Sequence, residues 1–394
     1  MFKEQFPYFK NSDKIYLDNG ATTQKHMVAI EALNEYYTKY CANTHRSSFG
    51  DANKATKLYE QARDNIKSYI NAKDKKEIIF TKGVTESINF IANSFAKDIP
   101  TIIISSLEHH SNIVPWHIQG RSLHNGLEVV KYKDNLEFDM EHFEKLLKQN
   151  PNSFVSITHI SNSFGTIHDI KAITNLAHKY NIAVMIDGAQ TLAHTKIDME
   201  DIDCDFFAFS AHKTFSPTGI GGIYIKQKFL DELKPYQTGG ATIADVSFKE
   251  SILLQSPYKF EAGTQNISGA IAFGKVIQWL ENQDFKAIQD YEKELYSYLD
   301  NELKKIPDIV FYNNIKNSIS VRSFNIKALH HDDIGLLLDK QNIAIRVGHH
   351  CAQPIMKALN IKGTIRVSLA MYNTIQDIDS FIKALKKAIK ILGK

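Results

Sequence analysis

From residue 78 onward, short apolar runs alternate with segments of helical period. Ile78-Ile79-Phe80 precedes a helical pattern over 86–95, and strand-like runs follow at 101–105, 127–132, 154–160, 182–186, 206–209 and 222–225. A helical pattern at 169–180 separates two of them. Continuous apolar runs of this length suit strands covered on both faces. Their alternation with helices predicts an α/β fold with a mostly parallel sheet, a large domain of seven strands. In such sheets ligands sit beyond the carboxyl ends of the strands.

After residue 280 the rhythm changes. A long helix over 284–306 leads to a strand at 319–324, a helix at 332–340, a strand at 343–347, a loop, a strand at 364–369 and a last helix at 376–392. This predicts a smaller C-terminal α+β domain. The expected division is 12–280 and 281–394, with residues 1–11 packing against the small domain. There is no internal repeat or low-complexity linker.

A chain of 394 residues suits two domains. Its 43% hydrophobic and 23% charged content is that of a globular protein. The formal charge of +3 is too small to argue for nucleic acid, and the lysines at 383, 386, 387 and 390 read as one solvated helix face. No apolar run reaches the roughly 18 residues of a membrane span. Met1 to Pro7 lacks a signal-peptide core. Three cysteines without a close pair argue against a disulfide scaffold, and a cytoplasmic location is expected.

The richest stretch chemically is Ser210-Ala211-His212-Lys213, between the apolar run ending at Phe209 and the turn Thr214 to Gly222. Upstream, Asp187-Gly188-Ala189-Gln190 closes another apolar run. A strand-end Lys with a strand-end Asp is what pyridoxal 5'-phosphate requires. The amine forms a Schiff base, and the carboxylate keeps the pyridine nitrogen protonated so that the ring accepts electrons. Lys213 as a surface lysine and Asp187 as a helix cap are the plainer alternatives. Between strand and helix, Thr81-Lys82-Gly83-Val84-Thr85-Glu86 offers backbone N–H groups to a phosphate, or is an ordinary helix start.

Further motifs lie in order along nearly the whole chain. They are Tyr16 to Thr23, Glu108-His109-His110-Ser111-Asn112 on to Trp116, Ser161-Asn162, Phe260 to Thr264, Arg346-Val347-Gly348-His349-His350-Cys351-Ala352-Gln353-Pro354, and Arg366 to Thr374. With the Asp187 and Lys213 segments, they resemble the class V aminotransferase-fold enzymes. More narrowly, the chain is similar to the group II (Suf/Csd-type) cysteine desulfurases, which have the type I fold of pyridoxal-phosphate-dependent transferases.

The resemblance implies roles. Lys213 carries the cofactor, Asp187 faces the ring nitrogen, Gln190 the phenolic oxygen, and His109 stacks on the ring and moves protons. Thr85, Ser210 and His212 hold the phosphate, joined by Thr264 from a second subunit, which implies a homodimer. Asn162 lies near the cofactor oxygen and the substrate carboxylate. Arg366 clamps that carboxylate, with Arg346 and Arg46 nearby. Val84, Ser47, Ala211 and Ser216 depart from the usual residues without removing a reacting group.

A cysteine beside this cofactor adds sulfur transfer to its chemistry. Cys351 is then the nucleophile that takes sulfur from L-cysteine, leaving L-alanine and a persulfide for a SufE/SufU/CsdE-like acceptor protein and, through it, iron–sulfur cluster or other cofactor assembly. The five-residue step from Arg346 to Cys351 matches the short loop of group II. A buried structural Cys is the plainer alternative for Cys351, and zinc is disfavoured because His349-His350-Cys351 wraps an ion poorly, so no metal is expected. Cys204 lies between two aspartates that raise its thiol, and Cys41 has no counterpart in the family. Selenocysteine lyase, on L-selenocysteine, and a non-catalytic cofactor-binding scaffold are the competing readings.

Overall fold

The computed structural model describes residues 2–45, 48–119, 126–313 and 315–393. Arg46 and Ser47 lie outside them.

The strands, in chain order, are β1 (Ile15–Tyr16), β2 (Ile78–Thr81), β3 (Thr101–Ser105), β4 (Gly126–Val130), β5 (Ser153–Thr158), β6 (Val184–Asp187), β7 (Phe206–Ser210) and β8 (Gly221–Ile225). After them come the hairpin β9 (Ile243–Val246) and β10 (Ser251–Leu253), then β11 (Ile309–Phe311), β12 (Val321–Ile326), β13 (Ile343–Ala344), β14 (Arg346–Gly348) and β15 (Thr364–Ser368). Seven of them form one sheet in the order β2-β8-β7-β6-β5-β3-β4. β3 to β7 run parallel, whereas β8 is antiparallel to both β7 and β2. The fold is α/β with a mostly parallel seven-stranded sheet, as the alternating pattern predicts.

Burial explains the unbroken apolar runs. β3, β5, β6, β7 and β8 are buried along their whole length, so both faces need apolar side chains. One face packs on the helices Met27–Lys39, Gly50–Tyr69 and Ile267–Glu281 through Ile157, Ile186, Phe207 and Phe209. The other packs on the helix Val84–Ser94 through Ile104, Phe154, Met185 and Phe206. Gly221 is required by a close approach, since a Cβ there would lie 2.4 Å from the Phe209 carbonyl oxygen and 2.7 Å from Gly83 Cα. This contact brings the turn before the helix Val84–Ser94 against the end of β7.

The register aligns the carboxyl ends. Thr158 stands beside Asp187, and Asp187 beside Ala208. Asp187 and the turn after Ser210 therefore share one edge of the sheet.

β11-β12-β15-β14 form a second, antiparallel sheet with its own core, including Leu299, Phe324, Val367, Phe381 and Leu385. The expected strand at 343–347 is two strands. β13 pairs with β1, and after Ile345 the chain changes sheet so that β14 pairs with β15. The amino-terminal segment touches both units. Phe6 packs edge-on against His26, Phe215 and Tyr372, while Lys3 forms an ion pair with Asp377 at 2.7 Å.

Candidate active site

A chamber of about 250 Å³ opens at the carboxyl edge of the large sheet. Eleven of the thirteen candidate residues line it: Thr85, His109, Asn162, Asp187, Gln190, Ser210, His212, Lys213, Arg346, Cys351 and Arg366. Thr264 does not; it lines a separate cavity with Asn43, Thr44 and His45. Arg46 is not among the described residues.

Asp187 ends β6 and is 2% exposed. One carboxylate oxygen accepts the Ala189 N–H at 2.9 Å. Burial raises its pKa, against the pull of that N–H and of Lys213. A carboxylate so placed needs a cationic or N–H partner. Lys213 ends the 3-10 turn Ala211–Lys213, directly after β7. Burial lowers its amine to about 8, with Asp187 opposing the shift. An uncharged amine is therefore accessible near neutral pH.

The helix Val84–Ser94 opens into the chamber with Gly83 as its N-cap, which has no side chain of its own to cap it. Its first N–H, from Val84, is taken by Ser210 Oγ at 2.9 Å. The amides beyond it point where an anion is favoured. The substitution of valine at 84 costs nothing at the backbone, because the donor there is the N–H.

His109 Nδ1 accepts the Ser111 N–H at 3.1 Å. Burial, then Lys213, depresses its pKa to about 3, so it is a neutral ring at physiological pH. Its neighbour His110 acts on the cysteine loop instead. The His110 backbone N–H donates to the Cys351 carbonyl at 2.8 Å, and its Nε2 accepts from the Gln353 N–H at 3.3 Å. Gln190 donates to the Gly20 carbonyl at 2.7 Å.

Arg346 and Arg366 stand opposite each other on β14 and β15. Both converge on Asp18. Arg366 Nη2 reaches its Oδ1 at 2.8 Å, and Arg346 Nη2 reaches its Oδ2 at 2.9 Å. One carboxylate thus balances two guanidiniums, leaving a net positive charge at the chamber wall. Arg366 is 1% exposed, and its Nε has no partner among the described residues. This arrangement suits an incoming carboxylate. Asp18 is a site residue that sequence reasoning misses, although it lies inside the motif Tyr16 to Thr23.

The Cys351 loop is held from three sides. Asn162 Nδ2 donates to the His350 carbonyl at 2.6 Å, His110 donates to the Cys351 carbonyl, and His350 Nε2 meets Thr364 Oγ1 at 2.8 Å. His350 and Cys351 both have φ of 54°, a left-handed pair that such anchoring has to hold. The side chain of Asn162 is thus spent on tethering this loop, while its carbonyl accepts Arg366 Nη1 at 2.9 Å. The Cys351 thiol is free and exposed at the chamber mouth. Cys204 is fully buried, and burial raises its thiol most, with the flanking Asp205 and Asp203 adding to the shift as the sequence suggests.

The aminotransferase class-V family model matches residues 15–381. A cysteine desulfurase of Wigglesworthia glossinidia brevipalpis is 41% identical over 98% of this chain and 95% of that protein. A cysteine desulfurase of Synechococcus elongatus is 38% identical over 95% of this chain, which spans only 60% of that longer protein. Among solved structures, the cysteine desulfurase CsdA of Escherichia coli superposes with a TM-score of 0.91 at 34% identity, covering 99% of this chain and 98% of that one. The chain belongs to the class-V aminotransferase family, and within it to the cysteine desulfurases of the Csd type.

Proposed function

We infer that this protein binds pyridoxal 5'-phosphate and converts L-cysteine to L-alanine, leaving the sulfur as a persulfide on Cys351. The observation that supports it is one chamber holding Lys213, Asp187, Arg366 and Cys351. The residues suit the cofactor: Asp187 is a buried carboxylate lining the chamber that could face a ring N–H, and the helix start beyond Val84 offers amides to a phosphate. Lys213, Asp187, Gln190, His109, Thr85, Ser210 and His212 would hold it. When bound, it supplies the electron sink that makes the α-proton of an amino acid acidic.

The chain's own groups account for the rest. Arg366, which lines the chamber, takes the substrate carboxylate while Asp18, shared with Arg346, fixes its plane. The Lys213 amine moves the α-proton. The sulfur of Cys351 attacks the substrate sulfur, as thiolates do. The Cβ–S bond breaks, an S–S bond forms and Cβ gains a proton. Cysteine and one enzyme thiol give alanine and one enzyme persulfide, with no external oxidant or reductant. A SufE/SufU/CsdE-like protein then takes the sulfur at the exposed mouth, feeding iron–sulfur cluster or other sulfur-containing cofactor assembly. Three free thiols fit a reducing cytoplasm, and no helix among the described residues is long and apolar enough to cross a membrane. Assay of alanine and sulfide from L-cysteine after adding the cofactor tests the reading. An absence of both would reject it.

Capture of the cofactor needs an uncharged Lys213. Its rate in cofactor-free protein is expected to rise with pH roughly tenfold per unit well below 8, then level off above that value. Stopped-flow absorbance after mixing with pyridoxal phosphate measures this, and a flat rate from acid to alkaline pH would contradict it.

A homodimer is part of the same reading. Its support is that Thr264 lies outside its own chamber, which leaves it free to serve the phosphate of a second copy. Light scattering is expected to give twice the chain mass; a fully active monomer would overturn this.

A further inference from the structure

Directly behind Lys213 lies a second lysine that the proposed chemistry does not use. Lys25 is partly buried, and its ammonium donates to Thr22 Oγ1 at 3.0 Å, the Thr23 carbonyl at 2.7 Å and the His212 carbonyl at 2.9 Å. These bonds use all three of its protons. No carboxylate pairs with it among the described residues, and burial alone lowers its pKa, to about 8. A desolvated ammonium without a counterion is costly to keep, and three neutral acceptors only partly offset that cost.

The last of these contacts reaches the peptide that precedes Lys213. The His212 carbonyl, immediately before Lys213, also accepts from the Thr23 N–H at 3.0 Å, Thr22 Oγ1 at 3.0 Å and Thr23 Oγ1 at 3.2 Å. Thr23 Oγ1 in turn accepts the Phe215 N–H at 2.8 Å, beyond the lysine. Residues 22–25 therefore grip the turn 211–215 on both sides of Lys213. The turn is a single 3-10 turn whose Ala211 carbonyl is taken by the Thr214 and Ser216 N–H groups, whereas the bonds to the His212 carbonyl come from residues 22–25. A charge-assisted bond to that carbonyl is about twice as strong as the neutral ones beside it.

We propose that Lys25 is a positioning residue for Lys213: its ammonium, seated on the His212 carbonyl, fixes the turn from which Lys213 reaches the cofactor. This rests on the cofactor-dependent reading above. The test compares the wild type with Lys25→Met, Lys25→Arg and Thr22→Val, each loaded with pyridoxal phosphate. The readouts are the visible circular dichroism per bound cofactor, kcat and KM for cysteine, and the unfolding temperature of the cofactor-free protein. Lys25→Met is expected to lose over half of the dichroic band and to lower kcat roughly tenfold with little change in KM. Lys25→Arg, which keeps donors, is expected to recover most of both.

Thr22→Val removes one donor to the same carbonyl and one acceptor of Lys25, so it is expected to weaken the band in the same direction. It keeps the proposal testable if Lys25→Met does not fold. A wild-type band and kcat per bound cofactor in Lys25→Met, or in Thr22→Val when only that variant folds, would overturn the proposal. So would a loss that appears only as a lower unfolding temperature. A wild type that shows neither colour nor turnover would instead reject the cofactor reading itself.

Discussion

Lys213→Ala is expected to abolish covalent capture of pyridoxal phosphate and to reduce alanine formation by roughly a hundred- to ten-thousandfold. The side chain has two roles, and nothing nearby replaces it in either. Lys25 holds the same turn from outside, but all three of its protons are engaged, with Thr22 Oγ1 and the Thr23 and His212 carbonyls. The fold should survive, because the β7 and β8 backbone and the apolar side chains beneath the turn do not depend on the amine. Borohydride treatment followed by mass spectrometry reads the outcome. Wild-type protein should retain the label on the peptide containing residue 213, and the variant should retain none. A label of equal yield elsewhere in the variant would show that the wrong lysine has been assigned.

Cys351→Ser is expected to keep the cofactor and lose alanine production, on the order of hundreds-fold or more, as when a covalent nucleophile is removed. A hydroxyl attacks sulfur poorly at neutral pH, where a thiolate attacks it well. The change is nearly isosteric, and the anchors of the loop are the backbone carbonyls of His350 and Cys351, so its shape should hold. Cofactor content by absorbance and alanine by amino-acid analysis separate the two effects. Loss of the cofactor along with activity would mean that the side chain supports the site rather than reacting in it. Cys41→Ser and Cys204→Ser should change little. Cys204 in particular is buried in the core beside Met199 Sδ, out of reach of substrate.

The sheet and the two residues that close its strands are legible in the sequence because burial on both faces leaves unbroken apolar runs, and a charged residue at the end of such a run stands out. Asp187 and Lys213 are visible for that reason. Asp18 is not: it acts through Arg346 and Arg366, 328 and 348 residues away, and no local pattern records a pairing that distant. The helix Ile267–Glu281 is apolar on most sides, because it is packed between the sheet and two other helices, so it shows no amphipathic period. The break between β13 and β14 is hidden because only Ile345 separates them, so the change of sheet leaves no turn residue to mark it. The tethering role of Asn162 escapes for a different reason. The residue itself stands out, but its partner is a backbone carbonyl, which leaves no trace in the side-chain sequence.

Sulfur is expected to leave cysteine for Cys351. This transfer is tested most directly by single-turnover reaction of the holoenzyme with L-cysteine, followed by alkylation and peptide mass spectrometry, with alanine counted in the same sample. One added sulfur atom on the peptide containing Cys351, in step with the alanine formed, is the expected outcome. Sulfur found on Cys41 or Cys204, or alanine formed at the wild-type rate by Cys351→Ser, would contradict it.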